Sequence, residues 1–256
     1  MRSQYIFLPE FYDILNSSVD YSAWASSIDL CLKNYGVKNG SLLLDLACGT
    51  GSISIPLAAL GYDVIGIDAS PEMLMKAREK SADAGEDILW LCQDMRTFEL
   101  YGTVGAIICC LDSLNYLLKT KDIEACFRLV CNYLDPGGIF VFDVNTPYKF
   151  KEIFAKSDFI IEEDGVYCGW QNAYDEKSRI CEFSLSIFAK HGNEYKRCNE
   201  HQRERCYSMK TLTSSLASAG LELLSVSSSL EGESLTPETE RWFFICKKPE
   251  QPSDLI

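Results

Sequence analysis

Apolar residues recur along this chain in three rhythms, and each predicts a different kind of element. Within residues 5–35 the spacing is helical. Tyr12 and Leu15, then Ile28, Leu32 and Tyr35, predict two helices, the second stopped by Gly36. From 42 to 144, short unbroken apolar runs alternate with helix-like stretches. Strands are expected at 42–46, 63–67, 88–92, 106–110 and 139–144, and runs apolar on both faces suit a sheet covered on both sides. A helix-like segment at 52–60 stops at Gly61. Another begins with Ser70 as N-cap and Pro71 at the first turn, with Met73, Leu74 and Ala77 on one side. A third, 122–134, is closed by Asp135-Pro136-Gly137-Gly138. From 159 to 207 the period shortens to two, broken by turn clusters at 163–165, 174–178 and 191–193, which predicts an antiparallel meander of three or four strands. A helix at 208–219 with Gly220 as its stop, an antiparallel strand pair at 221–228 and 241–247, and a frayed tail over 249–256 complete the reading.

These elements sum to an α/β chain: a doubly wound, seven-stranded mixed sheet with an antiparallel β insertion after strand five. All 256 residues are expected in one domain, with the core in 41–157 and 208–248, the insertion in 158–207 and a helical segment in 1–40. The formal net charge of −13 disfavours a nucleic-acid backbone or an anionic membrane as partner, because both require clustered Lys and Arg. Of the twelve cysteines, Cys92, Cys109 and Cys110 fall within or at the ends of expected strands and Cys126 and Cys131 on an expected helix; there is no CxxC pair and there are only two histidines. That pattern argues against a metal site and for free thiols in a reducing, cytoplasmic compartment. The start of the chain, Met1-Arg2-Ser3-Gln4-Tyr5, has no long apolar run of the secretory or membrane-spanning kind.

The chemistry concentrates after the first strand. Leu42-Leu43-Leu44 leads into Asp45, then Leu46-Ala47-Cys48-Gly49-Thr50-Gly51 and a helix start. Gly49 and Gly51 permit backbone conformations that a Cβ forbids and let a ligand approach closely. The second strand ends in Asp68, about 20 positions further on, where a carboxylate can hold the two hydroxyls of a ribose. A nicotinamide-binding unit is the rival reading, but Ser54 stands where its third glycine belongs. With LLLDLACGTGSISIPLA, YDVIGIDASPEMLMKAR, LWLCQDMRTFEL and CCLDSLNYL, the chain resembles the class I S-adenosylmethionine-dependent methyltransferases, strongly over 42–144.

The resemblance implies a Rossmann-like core, S-adenosylmethionine as cofactor, a small-molecule methyl acceptor and an N-terminal lid. The loop containing Ala47, Cys48, Gly49 and Gly51 would pack on the methionine and ribose part, and Asp68 would hold the ribose. Asp45 would orient the loop or face the cofactor's ammonium through water. Ala69 and Met73 would cover the adenine, unless Met73 is plain core. Asp94 and the Met95 amide would read the adenine edge, and Leu111 would offer its backbone. Tyr12, with Tyr21 and Trp24, would close over the cofactor or belong to the core. Asp112 would contact a ligand or cap the turn at Ser113. Asn145, Trp170, Arg203, Arg205 and Tyr207 would line the acceptor site, the last three sharing one strand face. No catalytic base declares itself, since His201 is the right type but stands alone on a strand. A binding protein that kept the cradle without catalysis is therefore a second reading.

Overall fold

The computed structural model describes residues 8–250. The expectations for residues 5–7 and for the tail 251–256 lie outside them. Helices α1 (Leu8–Leu15) and α2 (Tyr21–Asn34) come first, and the Asp20 carboxylate caps α2 by accepting the Ala23 N–H at 2.9 Å. Then β1 (Leu42–Leu46), β2 (Asp63–Asp68), β3 (Leu89–Cys92), β4 (Val104–Cys109) and β5 (Leu134–Asn145) alternate with α3 (Ser54–Ala59), α4 (Pro71–Ala84) and α5 (Thr120–Tyr133). The first five strands pair in parallel. β11 (Arg241–Lys247) runs antiparallel to both β5 and β10 (Glu222–Ser227), giving the order β10-β11-β5-β4-β1-β2-β3. α6 (Met209–Ala219) precedes β10, with Ser208 as its N-cap. The seven-stranded mixed sheet of the sequence reading is therefore present.

Why the central strands read as unbroken apolar runs is visible in β4. Ile107 and Cys109 pack with Phe127, Phe142 and Leu212 on one face of the sheet. Ala106 and Ile108 pack with Ile28, Leu57 and Leu74 on the other. Both faces are covered, so polar alternation has no place to appear. One boundary differs from expectation. The Asp135–Gly138 cluster does not separate helix from strand but lies inside β5, where the register slips between the pairs Val104↔Leu134 and Ala106↔Ile139. Pro and Gly interrupt the ladder there as a bulge, with Gly137 at φ +82°.

A π-helical turn, Lys149–Phe154, leaves the end of β5 and leads into a second, four-stranded antiparallel sheet. Its strands are β6 (Phe159–Glu163), β7 (Val166–Asp175), β8 (Ile180–His191) and β9 (Glu194–Arg205). One face of this sheet forms its own core with Phe150 and Phe154 of the π-turn and Phe11 of α1. The N-terminal helix is thus packed against the insertion.

Trp90 of β3 lies under the glycine loop, with its indole N–H on Ser81 Oγ at 3.2 Å. A Cβ on Gly51 would stand 2.6 Å from Trp90 Cη2, and one on Gly66 of β2 would stand 2.3 Å from Cε3 and Cζ3. Gly51 therefore makes room for a ring from within the fold. Gly66→Ala is expected to cost about 1–3 kcal/mol by overpacking. Urea unfolding measures it, and an unchanged midpoint would show that the indole moves aside freely.

Candidate active site

The strand order reverses between β1 and β4, and the crevice outside their carboxyl ends is where open α/β sheets bind ligands. Backbone strain collects there. Among the described residues five non-glycine residues have positive φ. Two, Asp164 and Arg179, serve the turns of the insertion, while Ala47 (+63°), Leu111 (+56°) and Asp112 (+53°) rim the crevice. Such conformations persist only where surrounding contacts over-determine them.

The cleft is lined by Tyr12, Asp45, Ala47, Cys48, Gly49 and Leu111, among others, and holds about 350 Å3 not filled by protein atoms, part of it open to solvent. Six cofactor candidates are thus brought together. Asp68 joins them through the backbone. Its two carboxylate oxygens accept the Gly49 N–H at 2.9 Å and the Ser70 N–H at 2.8 Å. The glycine loop and the end of β2 are fastened to one carboxylate. Burial pushes the Asp68 carboxyl up, against the pull of the amides of Ser70, Gly49 and Ala69.

Asp45 is buried and accepts the Ser54 hydroxyl at 2.5 Å, bracing the start of α3. Burial, opposed by Ser54 and helped by the nearby Asp68, lifts its pKa to about 7. Ala69 is exposed just past β2, and Met73 is buried with its N–H on Ser70 Oγ. Asp94 lies two residues beyond β3, beside Asp68, whose carbonyl accepts the Gln93 N–H at 3.0 Å. Its carboxylate is engaged: Arg96 Nε donates to both oxygens at 2.8 and 3.0 Å, and Nη2 also donates. That fork holds Asp94 below the usual carboxylate range. Met95 is half-buried against the core under α5. Neither Asp94 nor Met95 lines the cleft.

α1 reaches over the loop by a polar latch absent from the sequence reading. Asp13 accepts the Thr50 hydroxyl at 2.7 Å, the Ser52 hydroxyl at 3.2 Å and the Lys80 ammonium at 2.7 Å. Tyr21 lines the cleft, whereas Trp24 turns away onto Phe243, with ring centroids 5.4 Å apart.

The acceptor candidates separate. Arg203 is exposed and paired with Glu182 at 3.4 Å. Arg205 donates to the Leu118 carbonyl at 2.9 Å and lies over the Tyr207 ring. Tyr207 is buried in the main core with its hydroxyl on the Leu117 carbonyl. Trp170 packs between Phe159 and Phe183 in the core of the insertion. His201 is on the outer face beside Ser184. Arg203 and Arg205 share a face of β9 as expected, but it is the face turned away from the insertion's core, and Tyr207 lies past the end of the strand. β8 buries Cys181, Phe183 and Leu185, and their cross-strand partners Glu204, Gln202 and Glu200 must face the same way.

Two of the candidates, Asp112 and Asn145, belong to a largely buried charged cluster that the sequence did not reveal. Asp143 of β5 accepts the Leu111 and Asp112 amides at 2.7 and 2.9 Å, and Arg241 Nη1. Arg241 Nη2 reaches Asp112 at 2.7 Å. Asn145 donates from Nδ2 to Glu204 at 3.0 Å. Asn115 clips the two sheets together, accepting the Asn145 N–H at 3.0 Å and donating to the Arg205 carbonyl at 2.9 Å. Burial alone would raise Asp112, but Arg241 and Lys149 outweigh it and hold that carboxyl down. Burial and the nearby Asp112 push Glu204 well up, despite the Asn145 amide.

Comparison with known proteins agrees with this geometry. The family described as "Methyltransferase domain" matches over residues 43–138. A Bacillus subtilis (strain 168) protein named "Putative methyltransferase YqeM" is 36% identical over 240 residues, 93% of this chain and 94% of that one. The crystal structure of an S-adenosylmethionine-dependent methyltransferase from Clostridium acetobutylicum ATCC 824 superposes with a TM-score of 0.87 at 29% identity, covering 95% of this chain and 98% of the other. A Streptomyces venezuelae dTDP-3-amino-3,4,6-trideoxy-alpha-D-glucopyranose N,N-dimethyltransferase is 33% identical over 162 residues, 61% of this chain and 65% of that protein. The strand order with its crevice at β1 and β4, the glycine loop fastened to Asp68 and the likeness to the Bacillus and Clostridium proteins over more than nine-tenths of each chain place this chain in the class I S-adenosylmethionine-dependent methyltransferase family.

Proposed function

We propose that this chain transfers the S-methyl group of S-adenosylmethionine to a polar small molecule held between the crevice and the four-stranded sheet. The observation that carries the reading is the Asp68 carboxylate tied to Gly49. It sets an acceptor for ribose hydroxyls beside an exposed loop backbone. At the Cβ position of Gly49 (φ +56°) nothing lies within 4 Å, so the cofactor's extended chain can lie directly on that backbone. Asp45 stiffens the loop, the Leu111 backbone borders the cleft, and Tyr12 covers it from α1. The adenine edge is read beyond the cleft itself, past the end of β3, by Asp94 and the Met95 amide, with Arg96 holding Asp94 below the usual carboxylate range.

Bound S-adenosylmethionine supplies an activated methyl group, so the protein's work is to align the acceptor and keep water out. α1 suits that task, since Asp13 latches it to Thr50, Ser52 and Lys80 while Phe11 packs on the insertion. Relatives named for amino-sugar nucleotides support a small polar acceptor. No described helix is long and apolar enough to cross a membrane. The twelve free thiols support a reducing, cytoplasmic setting.

S-adenosylhomocysteine should bind without a metal. Titration calorimetry with a chelator present measures it, and no heat at millimolar ligand would overturn the assignment of the cleft. Turnover of methyl-labelled cofactor against a metabolite panel separates an enzyme from a binding protein.

A further inference from the structure

The cluster beyond Asp112 has a charge imbalance. Asp112, Asp143 and Glu204 are three carboxyls; Arg241 and Lys149 are the two cations set against them. Glu204 is 3% exposed, accepts a hydrogen bond from Asn145 Nδ2 at 3.0 Å and has Asp112 as a neighbour. Burial and the neighbouring Asp112 carboxyl both disfavour a charge on Glu204, so its protonated form is favoured. A second observation is independent of the charges. The Asn145 Oδ1 and Gln202 Nε2 atoms are buried without partners, although their residues are only 2% and 5% exposed. Asn145 is the residue whose other amide atom holds Glu204, and Gln202 is the next inward position of β9. A buried acceptor on the residue that holds Glu204, and a buried donor one inward position along β9, both unpaired, are the complement of a polar ligand. The cluster adjoins the cleft by one residue, since Leu111 lines it and Asp112 follows.

We propose, resting on the methyltransferase reading above, that the methyl acceptor is an amine whose ammonium enters this cluster as its third cation, between Glu204, Asp112 and Asn145 Oδ1. Entry expels the Glu204 proton to solvent and leaves Glu204 as a carboxylate. The resting complex is this ammonium–carboxylate pair; only in the course of methyl transfer does Glu204 take one N–H proton, giving a neutral amine and a carboxylic acid. The nitrogen lone pair forms the new N–C bond, the methyl–sulfur bond breaks, and its electron pair stays on sulfur. The product is the N-methylammonium with S-adenosylhomocysteine. Gln202 Nε2 is left to donate to an oxygen of the acceptor. Other charged or titratable groups around Glu204 are Lys149 from the π-turn, Cys181 across the strand pair and Glu200 on the same face, with Glu240 acting through Lys149.

The probe is n-propylammonium chloride, with 1-propanol as its uncharged counterpart, added to protein saturated with S-adenosylhomocysteine. Infrared difference spectra should show a protonated-carboxyl band lost on adding the ammonium and retained with propanol. The band should be absent from Glu204→Gln. Because the ammonium displaces a proton, its affinity should rise with pH through the neutral range. Glu204→Gln, nearly isosteric with the neutral acid, should keep S-adenosylhomocysteine affinity within about twofold and bind propylammonium roughly tenfold or more weaker. An unchanged carboxyl band in the wild type overturns the proposal, as does equal binding of propylammonium and propanol. If S-adenosylhomocysteine itself fails to bind, the methyltransferase reading of the cleft fails instead. Should Glu204→Gln not fold, the wild-type spectra and pH dependence decide.

Discussion

Asp143→Ala is expected to cost about 3–5 kcal/mol of stability, the range for removing one partner of a buried ion pair. Asp143 is 1% exposed and serves three donors at once: the Arg241 guanidinium and the amides of Leu111 and Asp112. Alanine leaves Arg241 with Asp112 alone. It also strands two amides whose residues already sit at unfavourable positive φ. Because Arg241 comes from β11 and Asp112 follows β4, the loss is felt across three adjacent strands. At about 2–4 °C per kcal/mol for a chain of this size, the melting temperature should fall by roughly 6–20 °C. Scanning calorimetry measures it. A second replacement, Arg241→Met, should restore part of the loss, because it removes the uncompensated charge. A fall of under about 2 °C in the single variant would mean that solvent already satisfies these groups.

Asp68→Ala should weaken S-adenosylmethionine and S-adenosylhomocysteine binding by about 10- to 100-fold. Hydrogen bonds to a charged carboxylate contribute roughly 1.5–3 kcal/mol. The structure adds a reason beyond ribose contact, since the same carboxylate anchors the Gly49 and Ser70 amides. Its loss frees the loop as well as the ligand's hydroxyls. Little apolar packing goes with it, so the variant should stay folded, and calorimetric titration reads the affinity directly. Equal affinity in a folded variant would remove Asp68 from the cofactor site.

What the sequence determined by itself was local and periodic. The five apolar runs, the glycine turn after Asp45, the Ser70-Pro71 cap and the acidic end of β2 each follow from neighbours within a few residues. They were sufficient to predict the seven-stranded mixed sheet, the insertion and the crevice. Cross-strand information was present but indirect. The tight turn at Gly192-Asn193 pairs His191 with Glu194, and counting back from it sets Glu204 opposite buried Cys181. That count would have turned Glu204 and Gln202 inward instead of Arg203 and Arg205.

Only the tertiary structure decided the rest, because it depends on contacts between residues far apart in the chain. Asp143 reads as one more strand residue until Arg241, 98 positions later, arrives on the neighbouring strand. Gly51 reads as a ligand-facing glycine until Trp90 is found beneath it. Asp13 is an ordinary helix residue until α1 folds over Thr50 and Lys80. A buried charge is tolerated only where partners converge on it, and that convergence is set by strand order rather than by any local pattern.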